Sequence, residues 1–232
     1  MKNIQSAHDP IIEETKKFFH KVYAWMFAGL IVSGLTAYVV SASPSLYEVI
    51  IYNRFIFNSL LIGELVLVLG LVSLIGRISA RLATFLFLFY CFTTGLTFSV
   101  IFLVFTIESI GAVFFISAGM FGIMSAYGYL TNTDLTEIGQ VLMMGLFGII
   151  IASFINLFFG NSVADYIISI IGVIVFTGLT AYDTQKIRQT NIIGNQDTPE
   201  DTKESIMGAL TLYLDFVNLF LKLLRLFGKR RK

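Results

Sequence analysis

Two acidic residues stand inside apolar sequence. Asp183 lies in Leu179-Thr180-Ala181-Tyr182-Asp183-Thr184-Gln185, in the last turns of one apolar run, and Asp215 lies in Leu212-Tyr213-Leu214-Asp215-Phe216-Val217-Asn218, near the middle of the next. An ionisable group in hydrocarbon costs roughly 2.5–3.5 kcal/mol by insertion scales, so such groups face a bundle interior or a water-filled cavity rather than lipid. The hairpin linking the two runs is expected to bring the acids together. Carboxyls in contact titrate as a coupled pair that answers modest acidification, and when ionised they offer oxygen ligands to a hard cation such as Ca²⁺. Charge placement puts Arg77 and Arg81 at the same membrane face as Asp183, so either could pair with it in a latch whose strength depends on protonation. The alternative for Asp183 is a surface aspartate that ends its helix.

Asp215 belongs to a pattern. Gly208, Thr211, Asp215, Asn218, Lys222 and Arg225 are spaced three, four, three, four, three, which places all six on one face of a helix. The residues between them are apolar except Tyr213. A packing seam, with Lys222 and Arg225 snorkelling to the interface, would be served by Ala or Ser. A carboxylate at its centre adds a cost that packing does not explain, so Asp215 reads as functional. Glu64 is a further acid near the middle of an earlier apolar run, and Glu108 lies nearer the end of another. The candidate pore or polar-stripe residues are Glu64, Thr180, Thr211, Asn218 and Lys222.

The elements that position these residues are membrane helices. Of 232 residues, 56% are hydrophobic and 13% charged, with 23 Phe and a mean hydropathy of +0.81, against roughly 25% charged residues in a soluble domain. A spanning helix needs about 20 predominantly apolar residues, and seven segments qualify, near 22–41, 55–75, 82–104, 109–130, 138–159, 165–186 and 206–226. The expected fold is all-α: a cytoplasmic arm over 1–21, a seven-helix transmembrane domain over 22–228 with its last helix central, and a basic tail over 229–232. Trp25 beside Tyr23 suits an interfacial anchor, and Pro44 forbids continuation of the first helix. The polar link from about 187 to 205 reads as a solvated loop with no fold of its own.

Orientation follows from Lys and Arg, which short cytoplasmic loops retain. Lys2, Lys16, Lys17 and Lys21 lie in the arm, Arg77 and Arg81 in the second-to-third link, and Lys186, Arg188 and Lys203 around the sixth-to-seventh link, whereas the internal loops of the other side carry only Arg54. The N-terminus is therefore expected in the cytoplasm. Seven full crossings place Lys229, Arg230, Arg231 and Lys232 outside, against the charge rule. Either the last segment crosses fully, buried among the others, or it re-enters; the crossing is the favoured reading.

Several function classes fall away. The net charge of +1 gives no footprint for nucleic acid. Cys91, the single cysteine, sits in an apolar run and reads as packing, with no disulfide framework. The first 21 residues show no small-residue cleavage site, so no removable signal peptide is read there. No phosphate-cradling glycine loop, His-Glu-x-x-His helix or Gly-x-Ser-x-Gly elbow occurs, and His8 and His20 lie in the arm. Intramembrane aspartyl proteases also place two aspartates on neighbouring helices, but Asp183 follows Ala-Tyr and Asp215 follows Tyr-Leu where such enzymes carry Gly-x-Gly-Asp. No enzyme and no cofactor is expected.

A short motif recurs as Ser33-Gly34-Leu35-Thr36-Ala37-Tyr38, Thr94-Gly95-Leu96-Thr97 and Thr177-Gly178-Leu179-Thr180-Ala181-Tyr182. Small residues let helix backbones approach, and hydroxyls bond across helices or to their own turn. Close packing is the first reading; internal duplication, as in transporter folds, is the alternative.

At these residues the chain resembles the Bax inhibitor family, also called the transmembrane Bax inhibitor motif family, in a bacterial form. Thr177-Gly178-Leu179-Thr180-Ala181-Tyr182-Asp183-Thr184-Gln185 is similar to the family signature. Ala209-Leu210-Thr211-Leu212-Tyr213-Leu214-Asp215-Phe216-Val217-Asn218-Leu219-Phe220 is similar to its last helix, and Thr94-Gly95-Leu96-Thr97 to its third-helix motif. The resemblance implies a pH-sensitive calcium leak in a bacterial inner membrane, controlled by Asp183 and Asp215, with protons and calcium ions as partners. It also implies an arginine, for which Arg77 is the better candidate, that pairs with Asp183 when the path is closed. Some bacterial members are linked instead to regulating a membrane-bound quality-control protease. An adaptor of that kind would use the N-terminal arm and the tail Lys229-Arg230-Arg231-Lys232, and deleting the arm would cost it partner binding while leaving a leak its flux.

Overall fold

The computed structural model describes the backbone of residues 2–231 and the side chains of residues 12–231. The expectations for the side chains of Lys2, His8 and Asp9, and for Lys232, lie outside the described residues. Within the described residues eight α-helices follow one another: α1 (Lys2–Ala42), α2 (Pro44–Tyr47), α3 (Arg54–Leu74), α4 (Ala80–Val104), α5 (Ile107–Leu130), α6 (Thr136–Phe159), α7 (Ser162–Thr190) and α8 (Pro199–Phe227), with one π-helical turn at Glu48–Tyr52. Seven of them are long and apolar enough to cross a membrane, and no strand occurs among the described residues. The fold is that of an all-α polytopic membrane protein.

The helix ends obey local chemistry. Ser43 is extended ahead of Pro44, which opens α2, a placement that suits the missing N–H of proline. Asn53 caps α3 by accepting from the Phe55 and Ile56 amides, Thr106 caps α5 by accepting from Ser109, and Gly160, at φ 62°, closes α6 in the left-handed region.

The chain divides into two compact units, Met1–Val104 with Thr190–Leu210, and Phe105–Gln189 with Thr211–Lys232. In the first unit α1 runs along α4. The contact is tightest at Gly95, where a Cβ would lie 2.6 Å from Thr36 Cβ and 2.7 Å from the Ser33 carbonyl oxygen. Two copies of the recurring motif therefore meet each other, and the packing reading describes them. Cys91 is fully buried in α4. In the second unit Phe216 of α8 sits between Phe114 and Phe121 of α5, with ring centroids 5.4 and 5.6 Å away.

The link before α8 differs from its expectation. It shortens to residues 191–198 and, although Ile192, Ile193, Gly194 and Asp197 are exposed as a solvated loop requires, it is held by specific contacts. The Lys21 ammonium donates to Asp197 and Asp201, each at 2.6 Å; the Gly194 amide donates to Glu14; the Asp197 amide donates to Asp201; and Thr198 Oγ1 caps α8 by accepting from the Asp201 amide. Local polarity suggested a loop in water, but the lysine that organises it lies about 180 positions earlier.

α8 is continuous through Asp215, Lys222 and Arg225 and is long and apolar enough to cross a membrane, as the favoured reading of a full crossing requires. Its apolar stretch is 67% buried, against 44% for α4 and less for every other span. The last helix thus takes the most interior place, as expected. Its tail is fastened to the start of α5: the Thr106 amide donates to Lys229 O at 3.0 Å, the Lys229 amide donates to Ser109 Oγ at 2.8 Å, and Phe105 bridges Arg230.

Candidate functional site

The platform of the site is the C-terminal end of α7. A small-residue run lets α7 approach α5: a Cβ on Gly128 would collide with the Ala181 carbonyl, so the two backbones touch. Within α7, Thr180 and Thr184 donate to the carbonyls of Phe176 and Thr180 at 2.8 and 2.7 Å, satisfying hydroxyls that are fully buried. Ser125 Oγ and Thr184 Oγ1, 2.9 Å apart, join α5 to α7. Beyond them Gln185 holds the α5–α6 turn at both poles of its amide, accepting from the Leu135 amide and donating to the Thr133 carbonyl, each at 2.8 Å. Arg188 donates to the carbonyls of Tyr129 and, at 3.1 Å, Thr131. These are orphan carbonyls of the α5 C-terminus, which a cation suits. Asp183 thus projects from a turn fixed on both sides in sequence.

From that platform Asp183, half-buried, meets Asp215, which is 5% exposed. The two carboxyls are near enough to act directly on each other. No ordinary donor reaches Asp215 Oδ2, which is fully buried. An ionised carboxylate only accepts hydrogen bonds, so a bond between two carboxyls exists only when one of them carries a proton. Lys186 is the nearest cation to Asp183, with its ammonium 5.7 Å from the centroid of the Tyr182 ring.

The other residues of the α8 stripe divide by depth. The helix buries its apolar side completely at Leu212, Tyr213, Leu219 and Leu224, whereas Thr211, Asn218 and Lys222 are half-buried and Arg225 is exposed. The stripe is therefore the more open side of the most buried helix. Asn218 turns its amide back to the Leu214 carbonyl at 2.8 Å. Lys222 lies along α7 at Gly172, where a Cβ would sit 2.9 Å from its Cγ and Cδ.

Glu64 is elsewhere. It belongs to α3 in the first unit, beside the Thr97 hydroxyl of α4, with Oε1 buried and unbonded. Arg77 is exposed in the turn after α3, and Arg81 is exposed in the first turn of α4. Sequence reasoning passed over Gln185, Arg188 and Ser125. Gln185 lies inside the quoted motif, but its partners are about 50 positions away and nothing local reveals them. Asp165, paired with Arg225, was also passed over.

Among the described residues, no group of three or more His, Cys, Asp or Glu side chains is placed to hold a metal ion. The two carboxyls supply at most four oxygens, while Ca²⁺ takes about 6–8 oxygen ligands.

Residues 15–232 match the family model described as Inhibitor of apoptosis-promoting Bax1. The chain is 46% identical over 215 residues to the inner membrane protein YbhL of Escherichia coli strain K12, covering 92% of each chain. It is 45% identical to an uncharacterized protein of Borreliella burgdorferi, covering 93% of each. To the uncharacterized protein RP147 of Rickettsia prowazekii it is 40% identical, covering 94% of this chain and 92% of that one.

Proposed function

Since this chain belongs to the Bax inhibitor family, we propose that it is a calcium leak of a bacterial inner membrane whose opening is governed by protonation of the Asp183–Asp215 pair. One observation carries the reading: two carboxyls on different helices act directly on each other where Asp215 is buried, and Asp215 Oδ2 has no hydrogen-bond partner among the described residues. With the proton present, a bond between them ties α7 to α8. Without it, two like charges share a water-poor space, and the arrangement is relieved by separation, by water or by a divalent cation. Protonation thus changes both the contact between the helices and the affinity of the path for Ca²⁺. The half-open stripe of Thr211, Asn218 and Lys222 continues from the pair and supplies the polar surface that a hydrated ion needs. Thr180 fixes the α7 turn behind Asp183. Arg77 enters as partner of Asp183 through the family resemblance, and Glu64 enters as a second buried acid. The inner-membrane placement rests on the seven candidate spans and on the name of the Escherichia coli relative, and the cytoplasmic N-terminus on the distribution of Lys and Arg.

The test is flux through purified protein in liposomes loaded with a calcium dye. Wild-type protein is expected to pass Ca²⁺ at a rate that changes across the range from about pH 6 to 8, and Asp183→Asn or Asp215→Asn to flatten that profile, because an amide cannot exchange the proton. A pH profile unchanged in both variants refutes control by the pair.

A further inference from the structure

The α8 stripe has a second charged cluster, remote from the acids. Ten residues beyond Asp215, about 15 Å along the helix axis, Arg225 pairs with Asp165 of α7 at 2.6 Å, with the two side chains 51% and 29% exposed. Each charge stands where its helix favours it. Asp165 is in the first turn of α7 and Arg225 in the last turn of α8, so both helix termini add to the attraction. Asp165 is held further by its backbone, which donates to Asn161 O and accepts from Ser169 Oγ.

Lys222 is the third member. Its stem lies on Gly172, and any side chain there would collide with it at 2.9 Å. Its ammonium is within electrostatic reach of both Arg225 and Asp165. Among the described residues Lys222 makes no ion pair, since Asp165 is taken by Arg225. The cluster therefore carries one positive charge in excess, on the open side of α8, at the end of the stripe that begins with the acid pair. Snorkelling explains why a lysine reaches an interface, but not why α7 carries a glycine beneath its stem.

We propose that Asp165, Lys222 and Arg225 form a cationic collar at the end of the polar stripe remote from Asp183 and Asp215, and that its net charge sets how readily a divalent cation passes. The collar rests on the leak reading above and adds a second control point to it. Asp165 compensates Arg225 and Lys222 supplies the uncompensated charge, so the variants move flux in opposite directions. Removing the lysine charge lowers the barrier; removing the aspartate charge raises it.

The experiment is Ca²⁺ flux in the same liposomes at fixed pH. Lys222→Met keeps the stem on Gly172 and is expected to raise flux by roughly two orders of magnitude, about what one unit charge does to a divalent cation at about 10 Å and an effective dielectric constant near 20. Asp165→Asn is expected to lower it by a similar factor, with the pH profile keeping its shape in both. Raising ionic strength is expected to draw all three rates together by screening. A rise in both variants means that Asp165–Arg225 is a mechanical latch, which overturns the collar, as does no change in either. If wild-type protein passes no Ca²⁺, the leak reading and the collar fail together; if the aspartate-pair variants act as expected and these two do not, the collar fails alone. Lys222→Gln, with monodisperse elution in detergent as the folding control, repeats the first arm should Lys222→Met aggregate.

Discussion

The recurring Gly-Leu-Thr motif serves two regions differently. In the first unit Gly95 of α4 lets α1 approach, and the hydroxyls of Thr97 and Ser33 turn back to carbonyls of their own helices, at 3.0 and 2.7 Å. In the second unit the motif in α7 does the same with Thr180 and Thr184, but the close backbone approach is made by Gly128 of α5 upon Ala181, while Gly178 meets only the end of the Leu142 side chain. Two residues past Ala181 stands Asp183. One packing device yields a neutral seam in one place and the support of an acid pair in the other. The difference is a single carboxylate set in the turn after the small residues, with Gln185 and Arg188 fastening the last turns of α7 beyond it. Close packing makes the turn rigid, and rigidity holds the Asp183 carboxyl toward Asp215 instead of letting it turn away to water.

Substitutions at the glycines sharpen this comparison. The largest loss of stability is expected for Gly128→Ala, whose Cβ would meet the backbone of Ala181; neither backbone can yield, so the cost belongs at or above the usual overpacking range of about 1–3 kcal/mol, read as a lower melting temperature in detergent. Because the same change pushes α7 from α5, it should also disturb the pH profile of flux. Gly95→Ala meets the Ser33 carbonyl at 2.7 Å and is expected to cost about 1–2 kcal/mol while leaving that profile in place. Should Gly95→Ala alter the profile as much as Gly128→Ala, the distinction between a neutral seam and a supporting one collapses. Gly34, in the first copy of the motif, has open space where its Cβ would be, so Gly34→Ala is expected to be neutral or to stabilise by up to about 1 kcal/mol through helix propensity.

The smallest effect concerns the link. The Lys21 ammonium beside Asp197 holds this carboxyl below the ordinary aspartate value near 3.8. A depressed folded value means that the contribution is present above about pH 4 and is lost as the pH falls through the folded value. Asp197→Asn is therefore expected to lower the melting temperature slightly at neutral pH and by less as the pH falls well below the ordinary aspartate value, a difference read from melts at neutral and strongly acidic pH. An equal effect at both would mean that the clasp works through shape and not charge.

Much of the molecule was readable in one dimension. Hydropathy placed the seven spans because a bilayer demands long apolar helices whatever their neighbours, and the three-four spacing placed Asp215 on a shared face because helix geometry is local. The acids at 183 and 215 stood out for the same reason, as charges in apolar context. Tertiary structure decided what depends on partners distant in sequence. Lys21 reaches about 180 positions to hold the 191–198 link, Gln185 about 50 to reach the α5–α6 turn, and Arg225 pairs with an aspartate on another helix. Nor could spacing say how deep each residue of the stripe lies, since Gly208 and Asp215 are buried while Thr211, Asn218 and Lys222 are half-buried and Arg225 is exposed. Period and hydropathy are properties of the chain itself, so the sequence by itself determined the helices and the faces that carry its charges. Which charge meets which depends on how helices remote in sequence pack, and only the folded chain decided that Asp183 faces Asp215 and that Asp165 belongs to Arg225.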